Sequence, residues 1–85
     1  MNIFEHKNME LVTEFDRYIH QNPQYAESIP EGALVAMEIE GEEAFNDWSR
    51  KIAQQQAEAG QLIVYVRIKK LRPAWSRIEE LEITA

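Results

Sequence analysis

Cysteine is absent from this chain, so no disulfide can staple it and no thiolate can hold a metal. Histidine occurs only as His6 and His20. Placed on one helix, that pair would lie about 20 Å apart along its axis and could not share an ion. Basic residues are the minority charge, nine against fifteen acidic ones, which gives a net charge of −6. That balance argues against a general nucleic-acid binder, whose affinity comes mainly from neutralising phosphates. No run approaches the roughly 20 apolar residues of a membrane helix. The beginning, Met1-Asn2-Ile3-Phe4-Glu5-His6, has neither a basic region leading into an apolar core nor a cleavage site. The expectation is a cytoplasmic protein without a membrane partner.

What is present is a globular balance of 45% apolar and 28% charged residues in 85 positions. That length accommodates one domain, residues 1–85, with a core so small that its stability is marginal. With disulfides and a zinc cluster set aside, the remaining remedies are idealised packing and association with a partner.

Apolar side chains at Leu11, Val12, Phe15, Tyr18 and Ile19 recur with helical spacing and predict a helix over residues 7–21. Asn22-Pro23 ends it, because the residue before proline is pushed out of the helical region. Asn22 is also placed to cap a short new turn beginning at Pro23. Ile29-Pro30-Glu31-Gly32 reads as a turn.

The nearly continuous apolar run over residues 33–39 predicts a strand covered on both faces. A second helix follows over residues 42–59, with Phe45, Trp48, Ser49, Ile52, Ala53 and Gln56 on one stripe and Gly60 at its C-terminal cap. The β-branched and aromatic run over residues 62–69 predicts another strand. Strand, helix, strand with short joints is a βαβ unit with parallel strands. The expected fold is therefore a small two-layer α/β (or α+β) domain, and residues 70–85 form an extended or strand-like tail. Two parallel strands make a poor sheet with both edges bare. Further strands must come from the tail, a second copy or another protein.

Two constellations invite a chemical reading. Glu38, Glu40, Glu42 and Glu43 crowd the end of the first strand, where open α/β sheets bind ligands, and carboxylates there suit a hard cation. Acidic residues are equally favoured at any helix N-terminus, and that plainer account carries more weight. Arg67, Lys69, Lys70, Arg72 and Arg77, interleaved with Tyr65 and Trp75, form a basic and aromatic stripe. It suits an acidic protein surface, a second subunit or, less well, a single-stranded nucleic acid. Its plainer account is an edge guarded by cations that pair with Glu79, Glu80 and Glu82. Ser28, Ser49 and Ser76 lie in no nucleophile turn, so nothing here argues for an enzyme or for a cofactor.

The segments Glu14-Phe15-Asp16-Arg17-Tyr18, Asn22-Pro23, Ile29-Pro30, Val64-Tyr65-Val66, Lys69-Lys70-Leu71-Arg72-Pro73 and Ser76-Arg77-Ile78-Glu79 carry a resemblance. Through them the chain resembles a family of small bacterial and archaeal proteins known only as a domain of unknown function. The resemblance implies no activity. It implies that the basic segment with its arginine-proline step is a feature of the family, and so a candidate surface.

The combined expectation is a non-enzymatic interaction module, either a homo-oligomer such as a dimer or the binder of a small protein partner. Its surface would be residues 62–69 and the tail, with Tyr65, Arg67, Lys69, Lys70, Arg72, Trp75 and Arg77 as contacts. The alternatives are cation or small-ligand binding at Glu38, Glu40, Glu42 and Glu43, and single-stranded nucleic-acid binding by the tail.

Overall fold

The computed structural model describes residues 2–72, 78 and 80–84. The chain runs through helix α1 (Ile3–Gln21), a short 3-10 helix (Pro23–Ser28), strand β1 (Leu34–Ile39), helix α2 (Glu43–Gln56) and strand β2 (Ile63–Ile68). The strands are parallel and in register from Leu34 opposite Ile63 to Ile39 opposite Ile68, as the βαβ reading requires.

Helix α1 begins four residues earlier than its apolar stripe suggests. The Asn2 side chain accepts from the Glu5 N–H at 2.8 Å, and this cap extends the helix to Ile3. At the other end Asn22 does not cap the following turn. Its backbone N–H donates to Tyr18 and Ile19, and its side-chain amide donates to the Tyr18 carbonyl, so it closes α1 instead. Pro23 does open the 3-10 helix, as its fixed φ favours.

Helix α2 ends at Gln56, three residues short of the expected end, with Ala57 extended at its C-terminus. Gly60 therefore caps no helix. Its φ of +78° serves the turn that launches β2, in which the Gln61 N–H donates to the Glu58 carbonyl. The Gln61 side chain accepts from the Glu58 N–H and donates to the Gly32 carbonyl, which ties this turn to the loop before β1.

Alternation divides the sheet into two faces. Val35, Met37 and Ile39 share one with Val64, Val66 and Ile68, and both helices pack there. Leu11 of α1 and Phe45 of α2 are fully enclosed against Met37 and Ile39, with Phe4, Phe15 and Trp48 around them. Both helices thus contribute to the core on this one face, a point that periodicity leaves open. The opposite face carries Leu34, Ala36, Glu38, Ile63, Tyr65 and Arg67.

Among the described residues the sheet has two strands only. Of the tail expected to be extended or strand-like, residues 70–72, 78 and 80–84 have no regular structure, so the strand alternative is not formed among them. The segment Ser76-Arg77-Ile78-Glu79, which carries part of the family resemblance, lies largely outside the described residues.

Candidate functional site

The two outer edges of this sheet are unlike each other. The Leu34 N–H donates to the Leu62 carbonyl at 2.8 Å, and the Glu40 N–H to the Ile68 carbonyl at 2.9 Å. The even-numbered residues of both strands therefore turn their peptides toward one another. Val35, Met37 and Ile39 present theirs to one outer edge, and Ile63, Tyr65 and Arg67 to the other.

Helix α2 packs along the β1 edge, where residues 36–39 are buried and one outward peptide is satisfied. The Asn46 side chain accepts from the Ile39 N–H at 2.8 Å and donates to the Ile39 carbonyl at 2.8 Å. A carboxamide has the donor and acceptor of a peptide, so Asn46 stands in for one residue of a neighbouring strand. It is completely buried. The helix straddles this edge, with Phe45 on the apolar face and Arg50 reaching Glu38 on the other.

The β2 edge has no such cover. Among the described residues nothing pairs with the outward peptides of Ile63, Tyr65 and Arg67. Tyr65 stands 42% exposed beside that edge, and Leu62 and Leu71 are exposed at its two ends. Lys69, Lys70 and Arg72 continue along it, exposed and in no ion pair among the described residues. Tyr65 and Arg67 thus belong to the strand whose outer peptides lack a partner among the described residues, and Lys69, Lys70 and Arg72 follow it in an irregular segment. Trp75 and Arg77 lie outside the described residues.

The acidic group is dispersed. Glu38 is buried, and Arg50 donates to it from Nε at 2.6 Å while Arg67, its registered neighbour, approaches to 3.5 Å. Hydrogen bonding to Glu38, followed by attraction to the same carboxylate, raises the pKa of the Arg50 guanidinium. Glu42 pairs with Lys7 at 2.8 Å and so links the starts of the two helices. Glu43 stands 3.9 Å from Arg67, and Glu40 is exposed. Among the described residues no three acidic or histidine side chains assemble a metal site. The cation reading of Glu38, Glu40, Glu42 and Glu43 thus loses its cluster, because Glu38 and Glu43 lie against Arg67, Glu42 is held by Lys7, and Glu40 stands exposed.

Glu38 could have been recognised from its context. A carboxylate inside a run that must be covered on both faces requires a cationic partner. Replacing Glu38 by alanine is expected to lower Tm by several degrees, and Glu38→Gln by less, since glutamine keeps the shape and a hydrogen bond to Arg50. Thermal melts followed by circular dichroism check the order; equal Tm values for wild type and Glu38→Ala would show the pair to be inert. Asn46 had no such signal, because it lies one position off the apolar stripe and reads as a surface polar residue.

The hollow between α1, α2 and β1, lined by Asn8, Val35, Ala36, Ser49, Ile52 and Ala53 among others, measures about 50 Å³. That holds a water molecule rather than a substrate. No helix among the described residues is long and apolar enough to cross a membrane. No curated protein and no solved structure matches the chain. A family of unknown function, DUF5647, matches residues 3–81, a span that takes in both helices, both strands and the basic segment. The chain belongs to that family.

Proposed function

We propose that the protein is a non-enzymatic interaction module whose working surface is the outer edge of β2 together with the basic segment that continues it. The observation that carries this reading is the asymmetry of the two edges. Asn46 satisfies the Ile39 peptide and residues 36–39 of β1 are buried, while β2 is half-buried to exposed and the outward peptides of Ile63, Tyr65 and Arg67 have no partner among the described residues. An open strand edge is a template for another strand, and main-chain hydrogen bonds to it supply affinity. The exposed cations at Lys69, Lys70 and Arg72 add preference for an acidic partner and speed its approach. The face that such a strand would extend is already apolar at Val66 and Ile68, so the added strand gains a core to lie against.

The test is native mass spectrometry over a dilution series, with circular dichroism on the same samples. Wild type is expected to associate. Lys70→Glu combined with Arg72→Glu is expected to lose that association with its far-UV spectrum unchanged, because neither side chain supports the fold. Association undiminished in the double variant would remove the reading.

A further inference from the structure

The chain carries, besides its open edge, a segment patterned to fill it. Glu80-Leu81-Glu82-Ile83-Thr84 alternates acidic or polar with apolar residues, as a strand with one covered face does. Leu81 is 68% exposed and Ile83 86% exposed, so neither finds apolar cover within its own chain. Glu80 and Glu82 make no ion pair among the described residues, and neither do Lys69, Lys70 and Arg72. Among the described residues, the pairing of Lys69, Lys70 and Arg72 with Glu80 and Glu82 that the sequence suggests is therefore not formed.

We infer that the occupant of the β2 edge is residues 80–84 of a second copy, exchanged reciprocally so that each copy completes the other's sheet. This rests on the reading of that edge as the working surface. Face matching and charge complementarity support it together. A strand laid beside β2 with Leu81 and Ile83 on the side of Val66 and Ile68 extends the apolar layer under the helices. Glu80 and Glu82 then fall on the side of Tyr65 and Arg67, at the end of β2 where Lys69, Lys70 and Arg72 follow. Arg67 can accept a further carboxylate there, because its contacts to Glu38 and Glu43 are long, at 3.5 and 3.9 Å. Pairing β2 with β2 of a second copy would leave Leu81 and Ile83 uncovered. The exchanged tail satisfies the edge and the exposed apolar pair at once.

The inference is tested on full-length chains by native mass spectrometry and sedimentation. Wild type is expected to be a dimer. Leu81→Asp with Ile83→Asp should raise its dissociation constant at least about a hundredfold, since two side chains lose their burial. Lys70→Glu with Arg72→Glu should weaken the dimer. Adding Glu80→Lys and Glu82→Lys to that pair should restore it, because both copies then carry the reversed complement. A monomer at every concentration, a dimer indifferent to the two aspartates, or no restoration by the charge exchange would each overturn the inference.

Tyr65→Pro separates this failure from failure of the underlying reading. It removes an outward N–H without touching a bond to β1, and Ile63→Pro, at the first residue of the strand, replaces it if proline at position 65 unfolds the strand. A dimer that survives the aspartates but not the proline variant overturns the tail as occupant and keeps the edge. One that survives both overturns both.

Discussion

Phe45→Ala is expected to leave the protein largely unfolded near physiological temperature. The ring is 1% exposed and lies at the junction of both helices with the sheet. Its centroid stands 6.0 Å from Phe4 and 5.8 Å from Trp48, so its removal strips contacts from α1 and α2 together. Truncating a buried phenylalanine costs about 3–5 kcal/mol. Small domains have roughly 5–15 kcal/mol in total, and one of this size with a two-stranded sheet belongs at the low end. Phe45→Leu keeps most of the volume and is expected to cost about 1–1.5 kcal/mol. Urea unfolding followed by circular dichroism distinguishes the two. A Phe45→Ala protein that unfolds at the wild-type denaturant concentration would mean that the helices do not meet the sheet through this ring.

Asn46→Ala should have the second largest effect, through hydrogen bonding rather than volume. Both of its side-chain bonds go to the peptide groups of Ile39, at an edge that α2 shields from water. The alanine variant leaves one buried donor and one buried acceptor without partners, at about 1–3 kcal/mol for each group. For a domain of this size each kcal/mol lowers Tm by about 4–8 °C, so a fall of more than 8 °C is expected. Asn46→Asp should separate the two bonds. An aspartate can still accept from the Ile39 N–H, but when ionised it faces the Ile39 carbonyl with a second oxygen. Burial and that repulsion raise its pKa in the folded state. The folded chain then binds the proton more tightly than the unfolded one, so the variant is most stable below the ordinary aspartate range and weakens as pH rises. Melts at pH 4 and pH 7 check the sign. A variant more stable at pH 7, relative to wild type at each pH, would show that the amide donor is not needed.

These two neighbours show how differently structure is written into sequence. Phe45 belongs to an apolar stripe with Trp48, Ile52 and Ala53, so helical periodicity alone marks it as core. Asn46 is polar, and its burial follows from where α2 docks along β1, a relation between segments that no local pattern encodes. The ends of α2 and the role of Asn22 belong to the same class. Gly60 follows the helical stripe and reads as its cap, yet hydrogen bonds from Gln61 to Glu58 and Gly32 use that glycine for the turn into β2. Asn22 precedes a proline and reads as a helix start, yet the open carbonyls at the end of α1 claim it first.

The sequence by itself determined the order helix, strand, helix, strand, the parallel pairing that a short crossover enforces, and the incompleteness of a sheet with two strands. Those properties depend on spacing along the chain and on the geometry of single elements. It also located Tyr65, Arg67, Lys69, Lys70 and Arg72 on a common stretch, because adjacent positions cannot be far apart. Only the tertiary structure decided that both helices contribute to one core, that Asn46 takes the Ile39 peptide at the β1 edge, and that the outward peptides of β2 have no partner among the described residues. It alone divided four neighbouring glutamates, burying Glu38 between Arg50 and Arg67 while Glu42 went to Lys7. The physical reason is common to all of these: burial and charge pairing are settled by which distant surfaces meet. In a chain this short, one helix docking along one strand was enough to bury β1 and leave β2 the more exposed of the two.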